Sequence, residues 1–526
     1  MNQTESFNKK TFLQSIIFFL ILILLAGGMA VYVISDPEFE QALDMIAVAM
    51  EIDKIYPENI NRHDLITAGQ EAMFENLDRY STYYKKSQFA NLDEEINGSY
   101  AGIGISVVRN PDGLLIMSVR ENGPAAEVGL LSGDIITAAD SISFENLKSN
   151  EAINIIKGKE GTKVLLTVKR PVTNETFQVK VTRRQIPFVH IPYAGFTSDS
   201  IVYIRILDFE AGISHDLKNA LDSLLSIHHN KAQGIILDLR NNPGGFFREA
   251  YKCADLFLNK GTFIVGTEGR SRWNDKKYYA TGKDITKELP IAIIVNHGTA
   301  SSAEILSGSL QKANRAFLVG DTTFGKGLVQ GFFRFPDGDG VKLTISRYYF
   351  KGPVFLNDFD STLNDVGHGL VPDYYYNYDY LNRFRMELEN SFILRQFADL
   401  HQGEIIKVTQ NDTLDDKWVD KLKKYAHQKQ FSFQSLKTLY ALEMKYLAQQ
   451  KKHDKNMTNL AEKIIRLSHK EDNRLFDINK GYIKTKIMQL AYERKYGTYL
   501  TYQKVLTKNT PVIKFASQIL LNKKND

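Results

Sequence analysis

Apolar positions follow four successive rhythms along the chain, and each predicts a different kind of element. Residues 15–34 (SIIFFLILILLAGGMAVYVI) are twenty positions without a charge, enough for a helix to cross a bilayer. Over residues 37–97, EFEQALDMIAVAMEIDKIY and DLITAGQEAMFENLD carry apolar residues at three- and four-residue intervals and predict amphipathic helices, ended by Asn97-Gly98. From Tyr100 the period shortens. AGIGISVVR, LLIMSVR, DIITAAD, KVLLTVKR and TFQVKVTRR read as strands parted by Gly, Pro, Asn and Asp turns, with one helical piece, SNEAINIIKG. Residues 98–186 are therefore expected to form a small β-rich module.

From about Ile201 short apolar runs alternate with amphipathic ones. VYIRIL, GIILDLR, IAIIVN and AFLVG predict buried strands; HDLKNALDSLLSIHH, FREAYKCADLFL and SSAEILSGSLQKA predict the helices between them. That alternation predicts an α/β domain with a largely buried sheet over residues 187–380, closed by the hairpin-like FFRFPDGDGVKLTISRYYF. Residues 381–526 read as amphipathic helices such as LKTLYALEMKYLAQQ and MTNLAEKIIRLSHK. The expected architecture is a multidomain α/β chain: residues 1–14, a membrane helix at 15–34, a helical segment, a β-rich module, an α/β core and a helical C-terminal extension.

Charge adds an address. Lys9 and Lys10 precede the apolar span, and Asp36, Glu38 and Glu40 follow it. The positive-inside rule places residues 1–14 in the cytoplasm and everything after residue 35 outside it. A cleaved signal peptide is the competing reading because Ala26-Gly27-Gly28 are small, but the apolar run continues well past them. No cysteine follows the apolar core, so a lipid-modified N-terminus is excluded. The single cysteine, Cys253, excludes a disulfide framework and a cysteine zinc site within one chain. The net charge of +5 gives no case for a polyanionic partner. Residues 391–526 hold about twelve more basic than acidic side chains, read as solvated helix faces rather than a nucleic-acid surface.

In an α/β sheet reactive groups gather past the carboxyl ends of the strands. After GIILDLR comes Gly244-Gly245, whose backbone N–H groups no side chain obstructs. After IAIIVN comes Ser301 at a strand–turn–helix junction, where free N–H groups can bind an oxyanion. Alone it could equally be a helix cap, a role open also to Ser302 and Thr299. After AFLVG comes Lys326, flanked by Phe324, Leu328 and Val329; an apolar pocket could lower its pKa toward that of a base. If GLVQ is extended, Gln330 shares a face with Lys326 and could orient it. Three strand ends supplying a glycine turn, a helix-start serine and a lysine suggest a hydrolase in which lysine replaces histidine as base.

Two other chemistries fit less well. Gly320 and Gly325 followed by Lys326 have phosphate-loop spacing, but Gly327 stands where a Mg²⁺-binding hydroxyl is needed, and a strand rather than a helix follows. A serine–histidine triad is disfavoured because His297 shares the tight turn of Ser301, and no spacing recommends His190 or His368. No metal-ligand cluster of suitable spacing is present and no cofactor is expected.

LDLRNNPGG, VNHGTASSAEILSGSLQ, VGDTTFGKGLVQ and TISRYYFKGP resemble the core of the carboxyl-terminal processing, or tail-specific, serine proteases, peptidase family S41. AGIGI, NGPAAEVGLLSGDIITAAD and INIIKGKEGTKVLLTVKR resemble a PDZ domain, and the likeness spans roughly residues 40–375. It implies Ser301 as nucleophile, Lys326 as general base and Gln330 in support, with oxyanion donors from the N–H of Gly245 or Gly244 and of Ser302. Where the family commonly shows Ser-Ala-Ser-Ala-Ser-Glu, this chain has Thr299-Ala300-Ser301-Ser302-Ala303-Glu304, which keeps the serine at the third place. The resemblance further implies a peptide-carboxylate nest at Gly102, Ile103, Gly104 and Ile105 and protein substrates with apolar C-termini. With the apolar span at 15–34 and its flanking charges, the expected location is the bacterial inner membrane, with the catalytic part in the periplasm. Homo-oligomers and an adaptor protein stay open as partners. The alternative is a catalytically silent PDZ scaffold, which the intact Ser301, Lys326 and Gln330 argue against.

Overall fold

The computed structural model describes residues 37–89, 99–228, 231–356, 368–378, 382–409, 413–431, 433, 436–450 and 455–525. The predicted span at 15–34 and the Asn97-Gly98 break lie outside these residues. Among the described residues no helix is long and apolar enough to cross a membrane. The chain divides into two units, residues up to Lys86 with Gln330–Thr344, and Ser87–Val329 with Ile345–Asp526.

The smaller unit holds the helices Pro37–Ile55 and Arg62–Met73. The side chain of Asn61 caps the second by accepting the amide of His63 at 3.0 Å. The strand Thr82–Tyr84 pairs antiparallel with Gly340–Lys342, and Thr344 ties back to Ser81 and Asp78.

The larger unit contains a six-stranded sheet whose strands run from Tyr193 to Tyr375. Its strands are β1 (Tyr193–Phe196), β2 (Val202–Arg205), β3 (Ile235–Asp238), β4 (Ile291–Val295), β5 (Ala316–Gly320) and β6 (Tyr374–Tyr375). They lie side by side in chain order; β1 is antiparallel to β2 and the rest are parallel. Parallel strands in sequential order need crossovers of one hand, which put their helices on one face. Those helices are α1 (Ile213–His228), α2 (Phe247–Asp255) and α3 (Ser302–Lys312). Leu217, Leu221, Cys253, Phe257, Leu306 and Leu310 bury against Ile204, Leu237, Ile293 and Leu318.

The other face is equally apolar, since Tyr203, Ile236, Ile294 and Val319 alternate with the first set along the strands. Its cover comes from the far end of the chain. Helix α4 (Pro511–Asn525) lays Val512, Ile513, Ala516 and Leu520 on it, one stripe at helical spacing. The last of the helices read as a basic extension is thus a layer of the α/β core.

The β-rich module has a six-stranded sheet: five strands lie in the order Ile105–Asn110, Gly113–Val119, Ile135–Ala139, Lys163–Arg170, Glu175–Thr182, and the short Ile142–Ser143 pairs with the third. Its core includes Leu114, Ile136, Leu166 and Val181, with Ala152 and Ile156 from the helix Ser149–Ile156. AGIGISVVR, expected as one strand, is two. Ser99–Gly102 leaves to pair with Arg184–Pro187, and the chain re-enters at Ile105. The break is anchored where Ile103 O and Gly104 O accept the amides of Ala125 and Arg120, 3.0 and 2.9 Å away.

Candidate active site

Strands β3, β4 and β5 are neighbours, so the three turns singled out in the sequence leave the same sheet edge. The turns after β3 and β4 are stapled together by asparagines. Asn296 Oδ1 accepts the amide of Asn241 at 2.8 Å, and Asn296 Nδ2 donates back to Asn241 Oδ1 at 2.8 Å. The Ala300 amide donates to Asn242 O at 2.9 Å. Held this way, Ser301 takes φ 54° and ψ −118° at the cap position of α3. Such a backbone is costly for a residue with a Cβ and persists only where its surroundings over-determine it. Ser301 is 9 % exposed, at the border of the interior.

The two competing hydroxyls are engaged elsewhere. Ser302 Oγ donates to Gly245 O at 2.8 Å, and Thr299 Oγ1 donates to Leu239 O at 2.9 Å. The glycine turn presses on the same spot. Gly244 has φ +96°, and a Cβ there would sit 2.8 Å from both the Ser301 Cβ and the Ser302 nitrogen. Its own N–H is committed to Asn242 Oδ1 at 2.9 Å. The N–H groups of Gly245 and Ser302 donate to no described residue. Of the donors expected from the sequence, Gly244 is therefore occupied and the other two are not.

Glu304, to which the sequence reading gave no role, joins the serine turn to the lysine loop. Its side chain is fully buried and accepts four hydrogen bonds. Oε2 takes the amides of Ser301 and Lys326, both at 2.8 Å; Oε1 takes the Gly325 amide at 2.7 Å and the Thr323 hydroxyl at 2.5 Å. Burial pushes its carboxyl above the usual range, and the four donors offset part of that. Tyr348 makes a second bridge, its hydroxyl donating to Lys326 O at 2.7 Å with Ser301 O 3.3 Å away. A signal for Glu304 was present: Ser301 to Glu304 reads S-x-x-E, the spacing that returns an acidic side chain to the cap amide. Nothing local in the sequence pointed to Tyr348.

Beside the lysine in the chain, Leu328 is buried and Phe324 and Val329 are half-buried. The strand begins at Leu328, so Lys326 precedes it. Gln330 belongs to the smaller unit, where its Nε2 donates to Thr344 Oγ1 at 3.3 Å. His297 is exposed, its ring 6.0 Å from Phe324. His190 Nδ1 lies 2.6 Å from Asp208 Oδ1; burial opposes its charge, yet that carboxylate leaves it more basic than usual. Among the described residues no His, Cys, Asp and Glu cluster could hold a metal. In the β-rich module Ile103 is buried, and Ile105 opens the strand at the sheet edge.

The sequence has counterparts among known proteins. Residues 200–358 match the family model of peptidase family S41, and residues 101–181 match that of the PDZ domain. The chain is 32 % identical over 316 residues to a carboxy-terminal-processing protease of Bartonella bacilliformis, covering 60 % of this chain and 72 % of that one. It is 35 % identical over 300 residues to the carboxy-terminal processing protease CtpA of Bacillus subtilis, covering 57 % and 63 %. The photosystem II D1 C-terminal processing protease aligns at 21 % identity over 63 % of this chain and 92 % of that one, with a TM-score of 0.38. By sequence, this chain belongs to the carboxy-terminal processing proteases of peptidase family S41.

Proposed function

We propose that the chain is a serine endopeptidase working through Ser301 and Lys326. The observation that carries this is Glu304 Oε2, one buried oxygen that accepts the amides of both residues and so fixes their two loops together. In the proposed reaction Ser301 Oγ attacks the carbonyl carbon of the scissile bond while Lys326 Nζ takes the hydroxyl proton. The oxyanion is received by the free N–H groups of Gly245 and Ser302. Lys326 then returns the proton to the departing amine, which leaves an ester on Ser301. Water, deprotonated by the same lysine, opens that ester and restores the hydroxyl. Gln330 is assigned the supporting role that the family resemblance implies.

The PDZ module is proposed to hold the substrate's C-terminal residues as an added strand along Ile105–Asn110, which lies at the edge of its sheet. Gly102, Ile103, Gly104 and Ile105 would receive the terminal carboxylate. Residues 15–34 are proposed to anchor the chain in the bacterial inner membrane, with residues 1–14 cytoplasmic and the catalytic part in the periplasm.

The test is cleavage of an unfolded protein with an apolar C-terminus by the full-length chain, without nucleotide. Wild type is expected to cut; Ser301→Ala and Lys326→Ala are each expected to lower the rate by at least about 10³-fold at unchanged melting temperature. Near-normal cleavage by Lys326→Ala would remove the lysine from the mechanism. Amidating the substrate's C-terminus is expected to slow cleavage; equal rates on free and amidated substrates would refute recognition of the tail.

A further inference from the structure

We propose that the C-terminal helical region is a strap that fastens the PDZ module to the catalytic sheet. Domains joined by a modest polar contact move relative to each other by default, so a fixed orientation needs a built joint. Three contacts from this region supply it, the first shared between the helices Ile393–Leu400 and Lys480–Thr501 and the other two following along the second. The first is polar and buried. Arg395 Nη1 donates to Ser132 Oγ of the PDZ module at 2.6 Å, and Arg494 Nη1 donates to Ser132 O. Arg494 also lies 3.3 Å from Asp399 Oδ2, and all three charged side chains are buried. The PDZ loop is shaped to admit them: Gly133 has φ +94°, and a Cβ there would collide with Asp399 Oδ2 and Arg494 Nη1.

The second contact follows at once. Helix Lys480–Thr501 is interrupted at Gly497, with φ 74° and ψ −174°. A side chain at this point would strike Glu121, in the PDZ module just beyond the strand Gly113–Val119. The kink sends the chain from the PDZ module to the central sheet. There Tyr499 and Tyr502 close the third contact, packing on Tyr193 of β1 at ring distances of 5.0 and 5.7 Å. Helix α4 then seals the sheet face. One uninterrupted segment therefore grips the PDZ loop at Arg494 and the catalytic sheet from Tyr499 onward.

The grip is strong in geometry and modest in stability. Asp399 Oδ1 is buried and has no hydrogen-bond partner, a defect that costs free energy and keeps the joint breakable. For the proposed peptidase, on whose reading this consequence rests, the strap holds a PDZ-bound tail at a set distance from Ser301. The captured substrate then meets the site at a raised effective concentration.

The full-length chain with Ser301→Ala tests the strap without catalysis. Spin labels at Lys180→Cys and Lys260→Cys, both exposed sites, report the distance between the PDZ module and the core; the native Cys253 is buried and stays unlabelled. A single narrow distance distribution is expected. Arg395→Leu, and separately the paired Arg494→Met with Asp399→Leu, are expected to broaden it while circular dichroism retains the helices. The paired change removes one charge of each sign together, and Arg395 keeps Glu493 as a nearby counter-charge. A distribution as narrow as wild type in both variants would overturn the strap. So would loss of the C-terminal helices in both, since the contacts would then serve only the tail's own fold. With Ser301 restored, the preference for free over amidated C-termini is expected to fall ~3-fold or more in each variant. A wild type with no such preference would refute tail recognition while the distance measurement still decides the strap.

Discussion

At the scale of single residues the site depends on an acceptor that takes no chemical step. Glu304 faces only donors, so it works as a carboxylate with every oxygen in use. Glu304→Gln would turn an NH₂ group toward at least one of the three backbone amides, and no rotation removes that clash. Cleavage is expected to fall about 10- to 10³-fold through kcat, with KM little changed, because the loops that place Ser301 and Lys326 would separate. An equal loss in both parameters, or none, would show that Glu304 does not position the pair. Ser301, Lys326 and Gly245 were legible because each sits at a strand end in a short, unusual turn. Glu304 was partly legible through its S-x-x-E spacing. Tyr348 was not, because it reaches both loops from Gly340–Phe350, a strand whose alternating pattern reads as ordinary sheet.

At the scale of elements, the α/β alternation gave the strands and their helices in order, since buried parallel strands announce themselves as continuous apolar runs. The identity of the second cover was hidden. IAIIV is buried at all five positions, so both faces of β4 need a partner. Helices α1 to α3 can serve only one of them. The other partner starts at Pro511, more than two hundred residues beyond β4, in a region whose excess of lysine draws attention to its solvent side. Leu520 is fully buried there and packs toward Gly234, which precedes β3. Leu520→Ala is expected to destabilise the catalytic unit by about 2–4 kcal/mol. Denaturant unfolding would measure this. A change below about 0.5 kcal/mol would mean that α4 is a loosely attached extension and not a layer of the core.

At the scale of the whole molecule, the joint between the PDZ module and the tail should carry its own pH signature. Burial pushes the Asp399 carboxyl up to about 6, more than the neighbouring Arg494 and Arg395 pull it down. Asp134 on the PDZ side pushes in the same direction as burial, and Asp399 Oδ1 has no donor to oppose it. The folded chain therefore binds a proton here more tightly than the unfolded one, whose carboxyl titrates near 4. The associated stability is fully present below about pH 4 and is lost as pH rises through about 6. Converted at 1.4 kcal/mol per unit, the loss is on the order of 3 kcal/mol at most, because relaxation around a buried ion reduces it. Asp399→Asn mimics the protonated state at every pH. Its unfolding free energy is expected to match wild type near pH 4 and to exceed it by about 1–3 kcal/mol at pH 7. Other carboxylates titrate equally in both chains, so the difference isolates this one group. A gap that stays constant between pH 4 and 7 would mean that Arg494 satisfies Asp399 fully. The joint would then be a plain ion pair, and its release would require a bound partner rather than the loss of a proton from Asp399.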